Sequence, residues 1–380
     1  MIYLDNAATT RPAPEVQEAV GLALSRTWAN PSSSHRPGLA ARTLLEEARG
    51  AVAHYCRIPA DGVVFTSGGT EANQLAALGL PLRSGTTRIV TTTAEHPSLA
   101  RPAAARPGVE LVQAPLAPSG VVDLGRLRGL LDRTVGLVAL FEGHNEIGTR
   151  NPIAEIVAAV RERAPRALIH LDAVQSFGKP GPPPFHLGID SAAISAHKVH
   201  GPKGAGALLL RTRTQLAPQL AGGGQEGDRR SGTENLPGIA GLAAAVGLLS
   251  RLTGEEHDRM RARGDRLREE LKARIVDARL LASGALALPH IVVLVVPGAR
   301  AEVVLHHLED EGIVASAGAA CHAGAHKLSP ALLAAGLREE EIRSTLRLSL
   351  SRETTDAEID ATIDALPRVV TRVRAVGAAR

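Results

Sequence analysis

The chain has 380 residues, 44% of them apolar and 22% charged with both signs interspersed, and a formal net charge of +4. That composition excludes a disordered or membrane-embedded chain, and the basic residues form no long block or aromatic-studded stripe of the kind nucleic-acid binding needs. Two cysteines, Cys56 and Cys321, cannot build a disulfide framework and point to a reducing, cytoplasmic setting.

The opening MIYLDNAATT lacks a basic region followed by an apolar stretch, so no signal peptide is expected there. The longest apolar stretches are too short to span a bilayer or are broken by Gly and Pro. From about residue 60 to 210, short apolar runs alternate with amphipathic ones. VVFTSG (63–68), RIVTTT (88–93), VGLVAL (135–140), ALIHLDAV (167–174) and AAISA (192–196) read as buried strands. EANQLAALGL (71–80) and PIAEIVAAVRERA (152–164) have helical spacing. Alternation of this kind predicts a mostly parallel α/β sheet with right-handed crossovers. The charged amphipathic stretch 254–276 then breaks the rhythm. HIVVLVVPG (290–298), a helix-like stretch from Arg300 to Asp310 and strand-like LRLSLS (346–351) follow, and predict a smaller α+β block. The expected division is a large domain over 13–250 and a small one over 1–12 and 251–380.

In a parallel sheet, ligands gather beyond the carboxyl ends of the strands. After VVFTS comes Gly68-Gly69-Thr70-Glu71, opening a helix. Such a helix start offers free N–H groups to a phosphate, and the plain alternative is an ordinary strand–helix turn. ALIHLDAVQSFGK places Asp172 at a strand end, where a carboxylate costs free energy unless it meets a cation, such as a protonated pyridine nitrogen. The plain alternative is a capping or salt-bridged Asp. AAISAHKVHGPKG places Ser195, His197 and Lys198 at another strand end. Semi-buried lysines titrate low enough to form Schiff bases, and of five lysines only Lys198 has this setting, with Lys203 in the next loop as the fallback.

GGGQEG (222–227) fits G-x-G-x-x-G literally, but TQLAPQLA before it does not read as a strand, so a flexible loop is expected rather than a dinucleotide site. Cys321, His322 and His326 match no standard zinc spacing, and no metal is expected. Cys321 sits among small residues in SAGAACHAGAHKLSP, a loop whose openness suits a nucleophilic thiol. Cys56 falls in a helical pattern and reads as core. Arg347 alternates with Leu346, Leu348 and Leu350, so it faces away from them and could clamp a carboxylate.

At this point YLDNAATT, FTSGGTEAN, TTAEHPS, HNEIGT, HLDAVQSFGK, SAHKVHGPKG, GGGQEGDRRSGTEN, GAACHAG and LRLSLSRETT, in this order, resemble the motifs of NifS/IscS-type cysteine desulfurases. The resemblance runs from residue 3 to about 355. It implies a fold-type I, class V pyridoxal-phosphate enzyme acting as a homodimer, with a large mostly parallel sheet domain and a smaller α+β domain. Lys198 would carry pyridoxal 5'-phosphate and Asp172 would pair with its pyridinium nitrogen. His96 would stack on the ring. Asn145 and Gln175 would bond its phenolic oxygen. Gly69, Thr70, Ser195 and His197 would hold its phosphate, with Thr233 reaching in from the second subunit. Arg347, helped by Asn30, would bind the carboxylate of L-cysteine, and Asn145 would also lie near this substrate. Cys321 would take the sulfur as a persulfide for a sulfur-acceptor or scaffold protein, as in iron–sulfur cluster assembly. One departure is Ala319-Ala320-Cys321, where family members often carry Ser-Ala-Cys. The GAACH form also resembles selenocysteine lyases, so L-selenocysteine is the rival substrate. A class V aminotransferase, which would not need Cys321, is a further alternative, as is a scaffold without turnover.

Overall fold

The computed structural model describes residues 1–179, 181–212, 214, 216–318 and 328–378. Thirteen strands fall among them. They are β1 (Ile2–Tyr3), β2 (Val63–Thr66), β3 (Arg88–Thr92), β4 (Glu110–Ala114), β5 (Val135–Phe141), β6 (Leu168–Asp172), β7 (Ser191–Ser195), β8 (Gly206–Leu210), β9 (Arg279–Leu280), β10 (Ile291–Val295), β11 (Ile313–Val314), β12 (Ser316–Ala317) and β13 (Thr345–Ser349).

Seven strands form one sheet in the order β2-β8-β7-β6-β5-β3-β4. Pairings from β4 through to β7 are parallel, as the alternating pattern predicts, while β8 runs antiparallel to both β2 and β7. VGLVALF is buried at every position because both faces are covered. Successive side chains alternate between faces. Val138 and Leu140 join a core under the Arg36–Cys56, Ile153–Arg163 and Leu236–Ser250 helices. Leu137 and Ala139 join a second core under Gly69–Gly79 and Pro97–Ala105. Cys56 ends its helix inside the first core, and burial raises its thiol pKa.

β12, β13, β10 and β9 make a second, antiparallel sheet. Its apolar face packs on the Gly254–Arg274, Ala301–Asp310 and Asp356–Ala378 helices, a core that Leu4 also enters. The charged stretch after residue 250 begins as a helix because Thr253 and Glu256 form a capping box. In β13, Leu346 and Leu348 enter this core, while Arg347, level with Val293 of β10, faces the other way. The N-terminal segment forms a separate parallel pair, β1–β11, and is joined to the four-stranded sheet by the bond from Asn6 Nδ2 to Ser349 O (2.8 Å).

One expectation is corrected. The GGGQEG segment is not a flexible loop, because Glu226 anchors it in the interior. The Glu226 carboxylate accepts from Arg49 Nη1 and Nη2 (2.8 and 2.9 Å) and from Phe65 N (2.9 Å). No single helix among the described residues is long and apolar enough to cross a membrane.

Candidate active site

A cavity of ≈ 290 Å³ opens at the carboxyl ends of β2, β6 and β7, closed on the other sides by residues 7–8, the turns after β3 and β5, and Arg347. Its lining brings together Gly69, Thr70, His96, Asn145, Asp172, Gln175, Ser195, His197, Lys198 and Arg347. Sequence alone scattered these groups over almost 280 positions.

The strand–turn–helix after β2 forms because Gly68 takes φ +155° and because Gly69 lies against β6's exit: a Cβ at Gly69 would sit 2.4 Å from Val174 Cγ2. The first N–H groups of Gly69–Gly79 therefore open toward the cavity floor, where an anion is favoured. Ser195 and His197 line the same region. Burial, then the neighbouring Lys198, Lys203 and Lys179, push His197 down to about 4, and its Nδ1 lies 3.2 Å from Thr9 Oγ1.

Asp172 ends β6, largely buried. Its Oδ2 accepts from Asn73 Nδ2 (2.8 Å) and its Oδ1 from Val174 N (3.0 Å), both neutral donors. No cation forms a salt bridge with it among the described residues. Behind it, Asn73 Oδ1 accepts from His170 Nε2 (3.1 Å), and His170 Nδ1 accepts from Ser191 Oγ (2.9 Å). Burial pushes His170 down to about 3, so a neutral chain of donors orients the carboxylate.

Lys198 follows β7 in the Ala196–Lys198 turn, and its Nζ donates to Ala7 O (2.6 Å) and Ala8 O (2.8 Å). His96 caps the Pro97–Ala105 helix: its Nδ1 accepts from Ser98 N (3.1 Å), which leaves Nε2 as the ring's donor. Gln175 Nε2 donates to Ala7 O (2.8 Å), while its Oε1 is buried with no partner. Arg347, 1% exposed, donates from Nη2 to Asp5 Oδ1 (2.8 Å) and from Nη1 to Asn145 O (3.1 Å). Its Nε has no partner.

A planar, phosphorylated pyridine fits this donor set. It offers a phosphate to the helix start, a protonated ring nitrogen to a buried carboxylate that meets only neutral donors, and a carbonyl to a strand-end amine. The orphaned Gln175 Oε1 and Arg347 Nε are buried polar atoms of the kind a ligand satisfies.

Two predicted residues do not line this cavity. Asn30 is exposed, its Oδ1 taken by Ser32 N (2.8 Å), so the expected assistance to Arg347 is not made within the chain. Thr233 is exposed as well. Cys321 lies outside the described residues. Asp5, Ala7, Ala8, Asn73 and His170 were not found from the sequence. His170 alone left a local signal, since it sits two positions before Asp172 on the same face of one apolar strand.

Residues 2–362 match the family model for class-V aminotransferases. A cysteine desulfurase of Cereibacter sphaeroides is 39% identical over 99% of this chain and 97% of its own length. The cysteine desulfurase IscS of Dictyoglomus turgidum is 35% identical over 99% and 96%. The solved structure of a NifS-like protein from Rickettsia africae superposes with a TM-score of 0.86 at 31% identity, covering 98% of this chain and 99% of that one.

Proposed function

From a chain that belongs to the cysteine desulfurase family of class-V aminotransferases, we propose an enzyme that carries pyridoxal 5'-phosphate on Lys198 and converts L-cysteine to L-alanine, passing the sulfur to Cys321 and onward to an acceptor protein. The observation that carries this reading is the convergence of Lys198, Asp172, His96, Arg347 and the Gly69-Thr70 helix start on one cavity. Bound there, the cofactor supplies a conjugated cationic ring that stabilises negative charge at the amino-acid Cα.

The chain's own groups do the rest. Thr70, Ser195, His197 and the helix start would hold the phosphate. Asp172, oriented by Asn73, would hold the proton on the ring nitrogen. Gln175 and Asn145 would bond the phenolic oxygen, and His96 would pack against the ring. Arg347 holds the substrate carboxylate. Lys198, at the end of β7 beside the cavity, would be the base for moving a proton. Cys321 thiolate forms an S–S bond as the substrate C–S bond breaks. The electron pair left on carbon takes up a proton, and alanine results.

Thr233 is exposed, as a residue serving a second copy must be, and we place it in the partner's phosphate site in a cytoplasmic homodimer. The division into 13–250 and 1–12 with 251–380 is part of the same reading, supported by the separate core around Leu267, Leu294 and Leu366. The test is alanine and sulfide release from L-cysteine by the yellow, purified protein, beside selenide release from L-selenocysteine. Borohydride reduction should fix the cofactor on Lys198. Absence of bound cofactor after reconstitution, or its fixation on Lys203, overturns the reading, and release of selenide alone replaces cysteine with selenocysteine.

A further inference from the structure

A second cavity, of ≈ 340 Å³, lies behind Lys198, which forms part of its wall, and its other lining groups have no part in the proposed reaction. Its walls come from both cores: Gly178–Lys179, Val199–His200 and Leu249 on one side, the first turns of Gly254–Arg274 and residues 350–355 on the other. His257 Nδ1 donates to Lys179 O (2.8 Å), tying the two sides at one corner. The floor is apolar, with Val199, Leu249, Met260 and Leu350 buried.

The charge in this cavity is lopsided. Lys179 is buried, and the only hydrogen bond of its ammonium among the described residues goes to Gln175 O at 3.2 Å, leaving two N–H groups over. Arg352, half-buried, and Arg259, exposed, line the same space, and their side chains make no hydrogen bond among the described residues. Of the two lining carboxylates, Glu256 caps its helix through Thr253, and Glu353, exposed at the rim, lies 3.6 Å from His200 Nδ1 within the same cavity, so the cations still outnumber the free carboxylates. An underbonded buried ammonium is costly unless an anion meets it. Burial and the charge of Lys198 press Lys179 down to about 7, the direction an anion would reverse.

We propose that this second cavity binds a small organic dianion, a phosphate monoester or a dicarboxylate, held between Lys179 and Arg352 over the apolar floor. The site does not depend on the desulfurase reading, and its occupant would brace the two cores against each other. The cofactor-loaded full-length protein is titrated calorimetrically with phenyl phosphate and with succinate at constant ionic strength. One saturable site per chain is expected for at least one probe, with Kd below about 1 mM, and the preferred probe names the source. Lys179→Met and Arg352→Ala should each weaken it tenfold or more, and Thr70→Ala should leave it unchanged. If Lys179→Met fails to fold, the rim double variant Arg259→Ala/Arg352→Ala carries the same test. No saturable binding of either probe, equal affinity in the variants, or loss of binding in Thr70→Ala overturns the proposal; the last would return the probe to the cofactor site.

Discussion

Arg49 and Arg347 are both buried, and each meets a carboxylate across a long stretch of chain, yet their surroundings differ. Arg49 uses every donor edge: Glu226 bidentately, Val63 O at 2.9 Å, Glu46 through Nε at 3.2 Å, and the Phe65 ring 4.9 Å from its guanidinium carbon. Arg347 meets one oxygen of Asp5 and one carbonyl, and keeps a buried Nε unpaired on the wall of a cavity. A guanidinium with its donors spent holds the fold together, whereas one with a donor in reserve is prepared for a ligand. The same contrast separates Glu226, saturated by Arg49 and Phe65, from Asp172, which meets only neutral donors at the cavity.

The largest effect should fall on the cavity side. Lys198→Ala should lose cofactor attachment and slow alanine formation from cysteine by at least the ~10²–10⁴-fold that a positioned proton-transfer group contributes. Turnover near the wild-type rate would break the assignment. On the saturated side, Glu226→Leu strands a buried guanidinium and should cost about 3–5 kcal/mol of stability, read by chemical denaturation. Arg49→Met/Glu226→Leu should recover much of it, and no recovery would show that the pair is not the cause.

Arg347→Lys should leave stability near wild type and raise KM for cysteine about 10–150-fold, the equivalent of the ~1.5–3 kcal/mol of a charge-assisted hydrogen bond. A stability loss matching that of Glu226→Leu would erase the contrast. Asp5→Asn keeps the shape but weakens the grip on Arg347, so KM should rise by about two- to tenfold with kcat little changed. A fall in kcat alone would place Asp5 elsewhere in the reaction.

Glu95 shows a third solution to a buried charge. Burial pushes its carboxyl from 4.5 up to about 8, so the folded protein keeps a proton that the unfolded chain releases. This group's contribution is therefore lost as pH rises through that window, and Glu95→Gln should gain stability relative to wild type between about pH 5 and 8. Parallel stability–pH curves for the two proteins would rule this out.

The sequence showed most of the elements, because strands buried on both faces and amphipathic helices carry their period locally. The strand-end positions of Asp172 and Lys198 were legible for the same reason: polar groups closing apolar runs. Arg347's direction followed from its alternation with leucines. Its partner Asp5 was not legible, since a separation of 342 positions leaves no periodic trace. The carbonyls of Ala7 and Ala8 that receive Lys198 are equally silent, being backbone atoms whose placement depends on the finished fold. The anchored GGGQEG segment misled in the opposite sense. Its glycines announce freedom, while one buried glutamate removes it.

The N-terminal segment also sets an order of events during synthesis. Asn6 and Ala7 bond Ser349, Gln175 bonds Ala7, and Lys198 bonds Ala7 and Ala8. Residues made early are thus held by a residue made 343 positions later. A ribosome-bound chain that has exposed β7 already presents Lys198, but Arg347 and Ser349 do not yet exist, so the front wall cannot close. Long-range closures of this kind come late in folding because their loop entropy must be met first. Completion of the cavity then waits on β13, and a chain stalled before it would leave Lys198 without the wall that Arg347 supplies.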